Sequence, residues 1–237
     1  MYRVGLPARS LAVAALAWIA LFGAARPVQI DSQVVLQRYA AKLLVAASPP
    51  ATIFTYTVSQ AGPHDIEQTH LIYRSGIHVR DETLAVDGVA LKQKFTRIAR
   101  YRDRYAIARV APRTSTYTFL FERATREGSH YDYTYAAIPL VTLGGFVVDR
   151  VTIDGATYLP SKIEFTASGA TISGKGVLYY APFGRYWMPV QASVAAKVEG
   201  RPARERIAWS GYRFPSSLPE STFVLPKPLP APVLPTF

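Results

Sequence analysis

The stretch ETLAVDGVALKQ (residues 82–93) decides the fold class of this chain. Its two apolar runs flank Asp87 and Gly88, and an Asp-Gly pair between such runs is the strongest short-range signal of a two-residue β-hairpin. A two-residue turn joins antiparallel strands, whereas parallel strands need a long crossover connection. We therefore expect antiparallel pairing here and in the segments on either side.

Period-two alternation of apolar and polar residues continues along most of the chain, with turn residues between the runs. The expected strands cover residues 52–59, 70–80, 104–110, 145–153, 158–167, 170–180, 185–198 and 203–214, together with the strands of two hairpins, 82–93 and 116–138. Strands that follow one another without helices between them indicate an antiparallel meander. A sheet of about ten strands tends to curl, so we predict a mainly β fold, a curled antiparallel half-open barrel with one helix.

The segment TYTFLFERATREGSHYDYTYAAI (residues 116–138) carries two aromatic stripes at alternate positions. The stripes are Tyr117, Phe119, Phe121 and Tyr131, Tyr133, Tyr135. Directly opposed residues of a hairpin point to the same side of the sheet, so a three-residue loop at 126–128 predicts that Phe121 pairs with Tyr133. The same register pairs Phe119 with Tyr135, and one face of the hairpin is expected to be a layer of rings.

One amphipathic helix is expected between residues 31 and 50, packed in or over the concave face of the sheet. Asp31 or Ser32 supplies its N-cap, and Pro49-Pro50 ends it. Its apolar face is Val35, Tyr39, Leu43 and Ala47.

The chain is predicted to have three parts. Residues 1–25 form a signal peptide, with Arg3 and Arg9 before a short apolar run and small residues before a cut after Ala25; an uncleaved anchor in the inner membrane is the alternative. Residues 26–225 form one domain. Residues 226–237 form a proline-rich tail, preceded by an apolar hook in which Phe223 and Leu225 fold back after Pro215 and Pro219 end the last strand.

Composition narrows the classes of function. The chain has no cysteine, which excludes disulfides, thiolate zinc sites and cysteine nucleophiles. Its net charge of +11 is spread along the sequence, so it indicates a solvated basic face or attraction to an anionic membrane surface, and no nucleic-acid partner is expected for an exported protein.

The sequence contains no pattern that indicates catalysis. The four histidines, His64, His70, His78 and His130, have no partner at metal-ligand spacing, and no known nucleophile or phosphate-binding motif is present. We therefore expect no enzyme activity, no cofactor and no metal. A sheet face lined by Tyr and Phe is a natural apolar pocket, but the same rings also serve as ordinary core, and both interpretations stay open.

Three segments carry a resemblance to a known family. HLIYRSGIHVRDETLAVDGVALKQK (70–94), DGATYLPSKIEFTASG (154–169) and WSGYRFPSSLPESTFVLP (209–226), in this order, resemble the LolA-like family of periplasmic lipoprotein carriers and outer-membrane lipoprotein-sorting proteins. The resemblance implies a half-open barrel whose apolar interior takes acyl chains and hands them to the outer membrane. It also implies that Arg74 controls lid closure and transfer, although Ser75 stands where the family often has proline.

The expected function is that of a soluble periplasmic carrier of lipoprotein acyl chains or lipids, with transient contacts to membrane-bound donor and acceptor proteins. The alternative is an RseB-like lipid- or lipoprotein-sensing scaffold of the cell envelope. The candidate lipid-binding residues are Phe54, Tyr56, Val58, Leu71, Tyr73, Leu84, Val86, Phe119, Phe121, Tyr133, Tyr135, Ile163 and Phe165.

Overall fold

A computed structural model describes residues 31–62, 65–142, 144–169, 172–198 and 200–225. The expected signal peptide and the proline-rich tail lie outside the described residues. Contacts divide the chain into residues 1–32 and residues 33–237, and all the described strands belong to the second unit.

The described chain contains two α-helices, one 3₁₀ turn and a single eleven-stranded sheet. The helical elements are α1 (Ser32–Val45), α2 (Ile107–Val110) and the 3₁₀ turn Glu220–Phe223. The strands are β1 (Ala51–Ala61), β2 (Ile66–Ser75), β3 (His78–Val86), β4 (Val89–Arg100), β5 (Tyr117–Glu127), β6 (His130–Pro139), β7 (Phe146–Asp154), β8 (Pro160–Ser168), β9 (Ile172–Phe183), β10 (Tyr186–Val198) and β11 (Arg201–Arg213).

The sheet is an antiparallel meander interrupted at one place. Its strand order is β4-β3-β2-β1-β11-β10-β9-β8-β7-β6-β5, so β1 pairs with β11, and every other pair is consecutive in the chain. The two strands at the edges, β4 and β5, are also consecutive, and residues 101–116 connect them. This connection, here called the crossover segment, must therefore pass from one edge of the sheet to the other.

The length of the crossover segment requires the sheet to curl. Eleven strands at their usual spacing span about 48 Å when flat, which is about the full reach of a 16-residue segment with one helical turn. The segment is shorter than this reach, because the amides of Thr116 and Tyr117 both donate to the carbonyl of Arg113 in a further turn. The expected curled antiparallel sheet is thus confirmed, and the crossover segment covers its inner face.

The Asp-Gly turn between β3 and β4 is confirmed. Asp87 and Gly88 have φ values of 50° and 75°, and Val86 pairs with Val89 across them. Positive φ at both central residues is the requirement of a type I′ turn, which Asp and Gly meet with little strain.

Two expected strands are wrong. Residues 70–80 form two strands, because Gly76, with a φ of 57°, turns the chain between β2 and β3. Residues 104–110 form part of the crossover segment with the single turn α2, in which the amide of Val110 donates to the carbonyl of Ala106. Alternation of large and small residues in this segment reflects burial of Ile107 and Val110 beneath one side of the turn, not strand pairing.

The expected register of the aromatic hairpin is also wrong. Glu127 pairs with His130, so the loop has two residues, with Gly128 at a φ of 55°. A β-bulge between Phe121 and Arg123 then shifts the pairing, and Phe121 lies opposite Tyr135 while Phe119 lies opposite Ala137. The bulge restores the placement of the aromatic stripes on one face.

The expected helix is present and ends earlier than the prolines imply. Val35 and Tyr39 are buried, Leu43 is half-buried, and Ala47 is exposed beyond the end of α1 at Val45. Within the described residues, neither helix has the length and hydrophobicity needed to cross a membrane.

The expected apolar hook after β11 is half right. The strand ends at Arg213, just before Pro215, and the Phe223 ring packs 5.7 Å from the ring of His78 on β3. Leu225 is 54% exposed and does not take part.

Candidate ligand-binding site

The inner face of the sheet carries a continuous row of cross-strand partners that runs from β5 to β3. The row is Phe121, Tyr135, Val151, Ile163, Leu178, Ala192, Ile207, Val58, Gln68 and Val86. Opposed partners share a face, so the register brings five of the predicted lipid-binding residues onto one surface, although they lie far apart in sequence.

The centre of this row is filled core. Tyr135, Val151 and Ile163 are fully buried, and Tyr39 of α1 packs on Phe119, with the two ring centroids 5.9 Å apart. Of the two interpretations of the aromatic stripes, core therefore describes Tyr135, and the candidate lipid-binding residue Ile163 is core as well. Helix α1 lies over the concave face of the sheet, as expected.

A cavity of about 80 Å³ lies elsewhere on the inner face, where β1, β2 and β11 meet. Its cover is the first part of the crossover segment, residues 101–105, here called the strap. The sheet side of the cavity is Thr52, Phe54, Tyr56, Ile72, Arg74, Met188, Pro189, Ile207, Trp209 and Tyr212. Predicted residues Phe54, Tyr56 and Arg74 therefore lie together, under a segment that the sequence did not associate with them.

Arg74 holds the strap through long contacts. Its Nη1 donates a hydrogen bond to the carbonyl of Tyr101 at 3.3 Å, and its guanidinium lies 5.2 Å from the centroid of the Tyr101 ring. Its Nε lies 4.0 Å from a carboxylate oxygen of Asp103. That Nε is buried without a hydrogen-bond partner, so one donor of the guanidinium remains available at the cavity wall.

The other end of the strap is held by tyrosines. The hydroxyl of Tyr180 donates to the carbonyl of Tyr105 at 2.8 Å, and the Tyr105 ring packs edge-on against Trp209 at 4.9 Å. Burial raises the pKa of Tyr180 and Tyr212 well above the usual range of a phenol. These hydroxyls therefore stay protonated hydrogen-bond donors at physiological pH.

Three predicted lipid-binding residues lie away from this surface. Leu71 pairs with Thr55 and Tyr73 with Ile53, so both occupy the face opposite to Phe54 and Tyr56, because successive side chains alternate. Leu84 is the extra residue of a bulge in β3. Alternation within a strand was visible in the sequence, but the register between strands was not.

The remaining predicted residues line the inner face outside the cavity. Tyr133 pairs with Ile153 and is half-buried, while the Phe165 ring lies over Gly176 so closely that a Cβ at that glycine would clash with it. Phe121 is 43% exposed at the β5 edge.

A larger cleft of about 1120 Å³ opens at the other end of the strands. Phe165 is the one predicted residue among its lining. Half of the twenty lining residues are charged, including Glu67, Glu164 and Arg206, so this cleft differs in chemistry from the aromatic cavity beneath the strap. Its size exceeds that of ordinary small-molecule pockets, which measure about 300–1,000 Å³.

Similarity between this chain and known proteins is found by comparison of structures. No protein-family model matches the chain, and no curated protein matches it. Among solved structures it is similar to a domain described as an outer membrane lipoprotein-sorting protein domain from Vibrio parahaemolyticus, with a TM-score of 0.47 and 15% identity over 80% of this chain and 94% of that one.

Two further structures show the same kind of similarity. A LolA superfamily protein from Nitrosomonas europaea has a TM-score of 0.41 and 11% identity, over 83% of this chain and 98% of that one. A chain of the MucA/MucB complex of Pseudomonas aeruginosa has a TM-score of 0.23 and 13% identity, over 76% of this chain and 93% of that one. Function is therefore inferred from the residues of the site itself.

Proposed function

We propose that this protein is an exported, periplasmic carrier that binds acyl chains of lipoproteins or lipids and passes them to the outer membrane. One observation carries the proposal: an aromatic cavity lies under a short strap that few polar contacts hold down. The domain boundaries inferred from the sequence, with a signal peptide at 1–25, a binding domain at 26–225 and a tail at 226–237, belong to this proposal.

An acyl chain fits the surface under the strap. Burial of each methylene stabilises a complex by about 0.8 kcal/mol, and rings such as Phe54 and Trp209 give non-directional contacts that suit chains of different length. The present cavity of about 80 Å³ is too small for a whole chain, so binding requires the strap to move outward.

Arg74 links the strap to the ligand in this mechanism. Its hydrogen bond to Tyr101 at 3.3 Å is longer than the usual value of about 2.9–3.0 Å, and its Nε has no partner. When an acyl chain displaces the strap, the guanidinium loses its contacts with Tyr101 and Asp103. Release then returns Arg74 to Tyr101, so that strap closure favours departure of the ligand.

We place the acyl chains under the strap and not in the larger cleft. The cleft is far bigger, but half of the residues that line it are charged, and a charged wall would be desolvated at a cost by an apolar chain. The cleft lies at the opposite ends of the strands from Arg74 and is better suited to a polar group or a protein partner.

The basic surface is expected to act during transfer. The full sequence has a net charge of +11, and removal of Arg3 and Arg9 with the proposed signal peptide leaves +9. This positive charge raises the rate of encounter with anionic membranes, and salt screens the effect. Donor and acceptor proteins in the membranes are the partners that a carrier needs, and neither a cofactor nor catalysis is part of the proposed mechanism.

The first test compares ligand release by Arg74→Leu with that by the wild type. We expect near-stoichiometric acylated molecules in organic extracts of detergent-free wild-type protein, and release to acceptor vesicles about tenfold slower for Arg74→Leu, because the strap no longer competes with the ligand. The measurement is mass spectrometry of the extracts followed by loss of a fluorescent acyl probe, with Trp209 emission as a second reporter.

The control is Arg100→Leu, which removes an exposed arginine immediately before the strap. It loses the same charge and should release the probe as the wild type does. Equal release by Arg74→Leu and wild type, with both folded, would reject the mechanism, and protein that carries no lipid and takes up no probe would reject the function.

A second candidate function is a lipid- or lipoprotein-sensing scaffold, and one surface favours it. Leu120, Ile138, Leu140 and Val141 are each 47–59% exposed near the β5 edge. Several large apolar side chains exposed near one sheet edge favour a protein contact there. A stoichiometric protein partner that is lost on Leu120→Glu, without loss of acyl binding, would favour this candidate.

A further inference from the structure

Three side chains of types that bind metal ions meet where β6 and β7 pair. Asp132 of β6 lies directly opposite Asp154 of β7, and His130 lies two residues before Asp132 on the same face of its strand. One ligand atom from each of the three residues lies within 4.8 Å of the others. This cluster is separate from the cavity beneath the strap.

The cluster needs a positive charge at its centre. Like charges directly opposed across two strands destabilise a sheet, and Asp132 and Asp154 are such a pair. Glu127, which pairs with His130 across the β5–β6 turn, adds a third carboxylate nearby.

The two distances from the His130 nitrogen fit ligands of one metal ion better than direct hydrogen bonds. The Nε2 atom of His130 lies 3.4 Å from Oδ1 of Asp132 and 3.3 Å from Oδ2 of Asp154. Charge-assisted hydrogen bonds are shorter, at about 2.7–2.9 Å. Ligand atoms around a tetrahedral zinc ion, with bonds of about 2.1 Å, lie about 3.4 Å from one another.

The outer oxygens of both carboxylates are already occupied. Oδ2 of Asp132 accepts a hydrogen bond from the Ser161 hydroxyl at 3.1 Å. Oδ1 of Asp154 accepts from the amides of Ala156 and Thr157 and from the Thr157 hydroxyl. Such outer contacts are the ones that orient metal ligands, and they turn the remaining oxygens toward His130.

An independent observation points to a missing ligand. Oδ1 of Asp132, the atom turned toward His130, is buried and has no hydrogen-bond partner. A buried carboxylate oxygen without a partner is costly and is rare among native groups. A cation between the three side chains would satisfy it.

We propose that His130 Nε2, Asp132 Oδ1 and Asp154 Oδ2 bind a divalent transition-metal ion, with zinc as the best match. An imidazole and two carboxylates suit zinc, copper or nickel, whereas calcium takes six to eight oxygen ligands. The His130 side chain is 32% exposed, so the ion has a route from solvent. The sequence-based expectation of no metal rested on the spacing of the histidines along the chain. Asp154 reaches the site only through the register of β6 and β7.

The test is calorimetric titration of zinc chloride into tag-free protein stripped with a chelator. We expect one zinc ion per wild-type chain and no measurable binding at this stoichiometry for His130→Ala or Asp132→Asn. Ser161→Ala removes only the outer hydrogen bond and should weaken zinc binding by about tenfold. Asp154 is left intact because its other oxygen holds the turn at 155–157.

The matched control is His78→Ala, which removes a half-buried histidine from the opposite half of the sheet. It should bind zinc as the wild type does, and circular dichroism should show all variants folded. Absence of a one-to-one zinc complex in the wild type, or equal affinity of folded His130→Ala and wild type, would overturn the proposal. Acyl-probe binding is also measured with wild-type protein after chelator treatment. Failure of the zinc proposal and failure of the carrier function then give different results.

Discussion

The two halves of the crossover segment are held in different ways. In the second half, Ile107, Val110 and Ala111 are each 7% exposed, and the Tyr39 hydroxyl donates to the Pro112 carbonyl at 2.7 Å. In the first half, the strap, Tyr101 and Arg104 are exposed, and Arg74 contributes contacts of 3.3 and 4.0 Å. One continuous segment therefore has a buried anchor and a loosely held cover.

This difference indicates that the second half of the segment contributes to the stability of the fold, whereas the strap controls access to the cavity. Buried apolar side chains of the anchored half contribute to the core, and core positions open only with global unfolding. The strap is more exposed than the second half, and its buried contacts are confined to Tyr105 and Arg74, so it is the part of the segment expected to open locally. An acyl ligand would therefore displace residues 101–105 while α2 stays in place.

The largest expected effect is on the anchored side. Tyr39→Ala removes a fully buried ring that packs on Phe119, and loss of a large aromatic side chain from a core costs about 3–5 kcal/mol. Urea denaturation followed by circular dichroism should show this fall in the free energy of unfolding. A loss below about 1 kcal/mol would mean that α1 is not part of the permanent core.

For the strap, we expect a smaller loss of folding stability and a larger change in affinity for the acyl probe. Tyr105→Ala removes the edge-on contact with Trp209, and such aromatic pairs contribute about 0.5–1.5 kcal/mol beyond burial. If the strap closes over the ligand surface, weakening it by about 1.4 kcal/mol should strengthen acyl-probe binding about tenfold.

Fluorescence titration of the probe into Tyr105→Ala and wild type checks this expectation, and Tyr101→Ala is a companion variant for the other end of the strap. Weaker binding by a folded Tyr105→Ala would show that the ring contacts the ligand directly and does not cover its site.

Local chemistry explains which parts of the fold were predictable from sequence. Asp87-Gly88 predicted its turn because positive φ at two successive positions is a property of those residues themselves. The pairing of Phe121 depended instead on a bulge near Arg123, which no residue type specifies. The sequence of residues 104–110 indicates a strand because a segment buried on one side shows similar alternation, and only its contacts reveal the single turn α2.

The residues of the candidate sites differ in the same way. Some are indicated by the sequence itself, and others are brought together only by the fold. The family resemblance indicates Arg74, and alternation on β1 indicates Phe54 and Tyr56, and the three line one cavity. Their cover was missed, because Tyr101 and Tyr105 reach them only through the passage of the crossover segment between the sheet edges. The cluster of His130, Asp132 and Asp154 depends on the register of β6 and β7, which spacing along the chain cannot reveal.

The smallest expected effect on the acyl probe gives the sharpest comparison of the two halves. Tyr39 and Tyr180 each donate a hydroxyl to a carbonyl of the crossover segment, at Pro112 in the anchored half and at Tyr105 in the strap. Replacing either with phenylalanine removes one hydrogen bond and leaves a carbonyl unpaired, at a cost of about 1–2 kcal/mol. Tyr180→Phe should also speed the opening of the strap and raise acyl-probe association several-fold, whereas Tyr39→Phe should leave association unchanged. Stopped-flow measurement of both variants decides the matter, because equal association rates would show that the two halves move as one body.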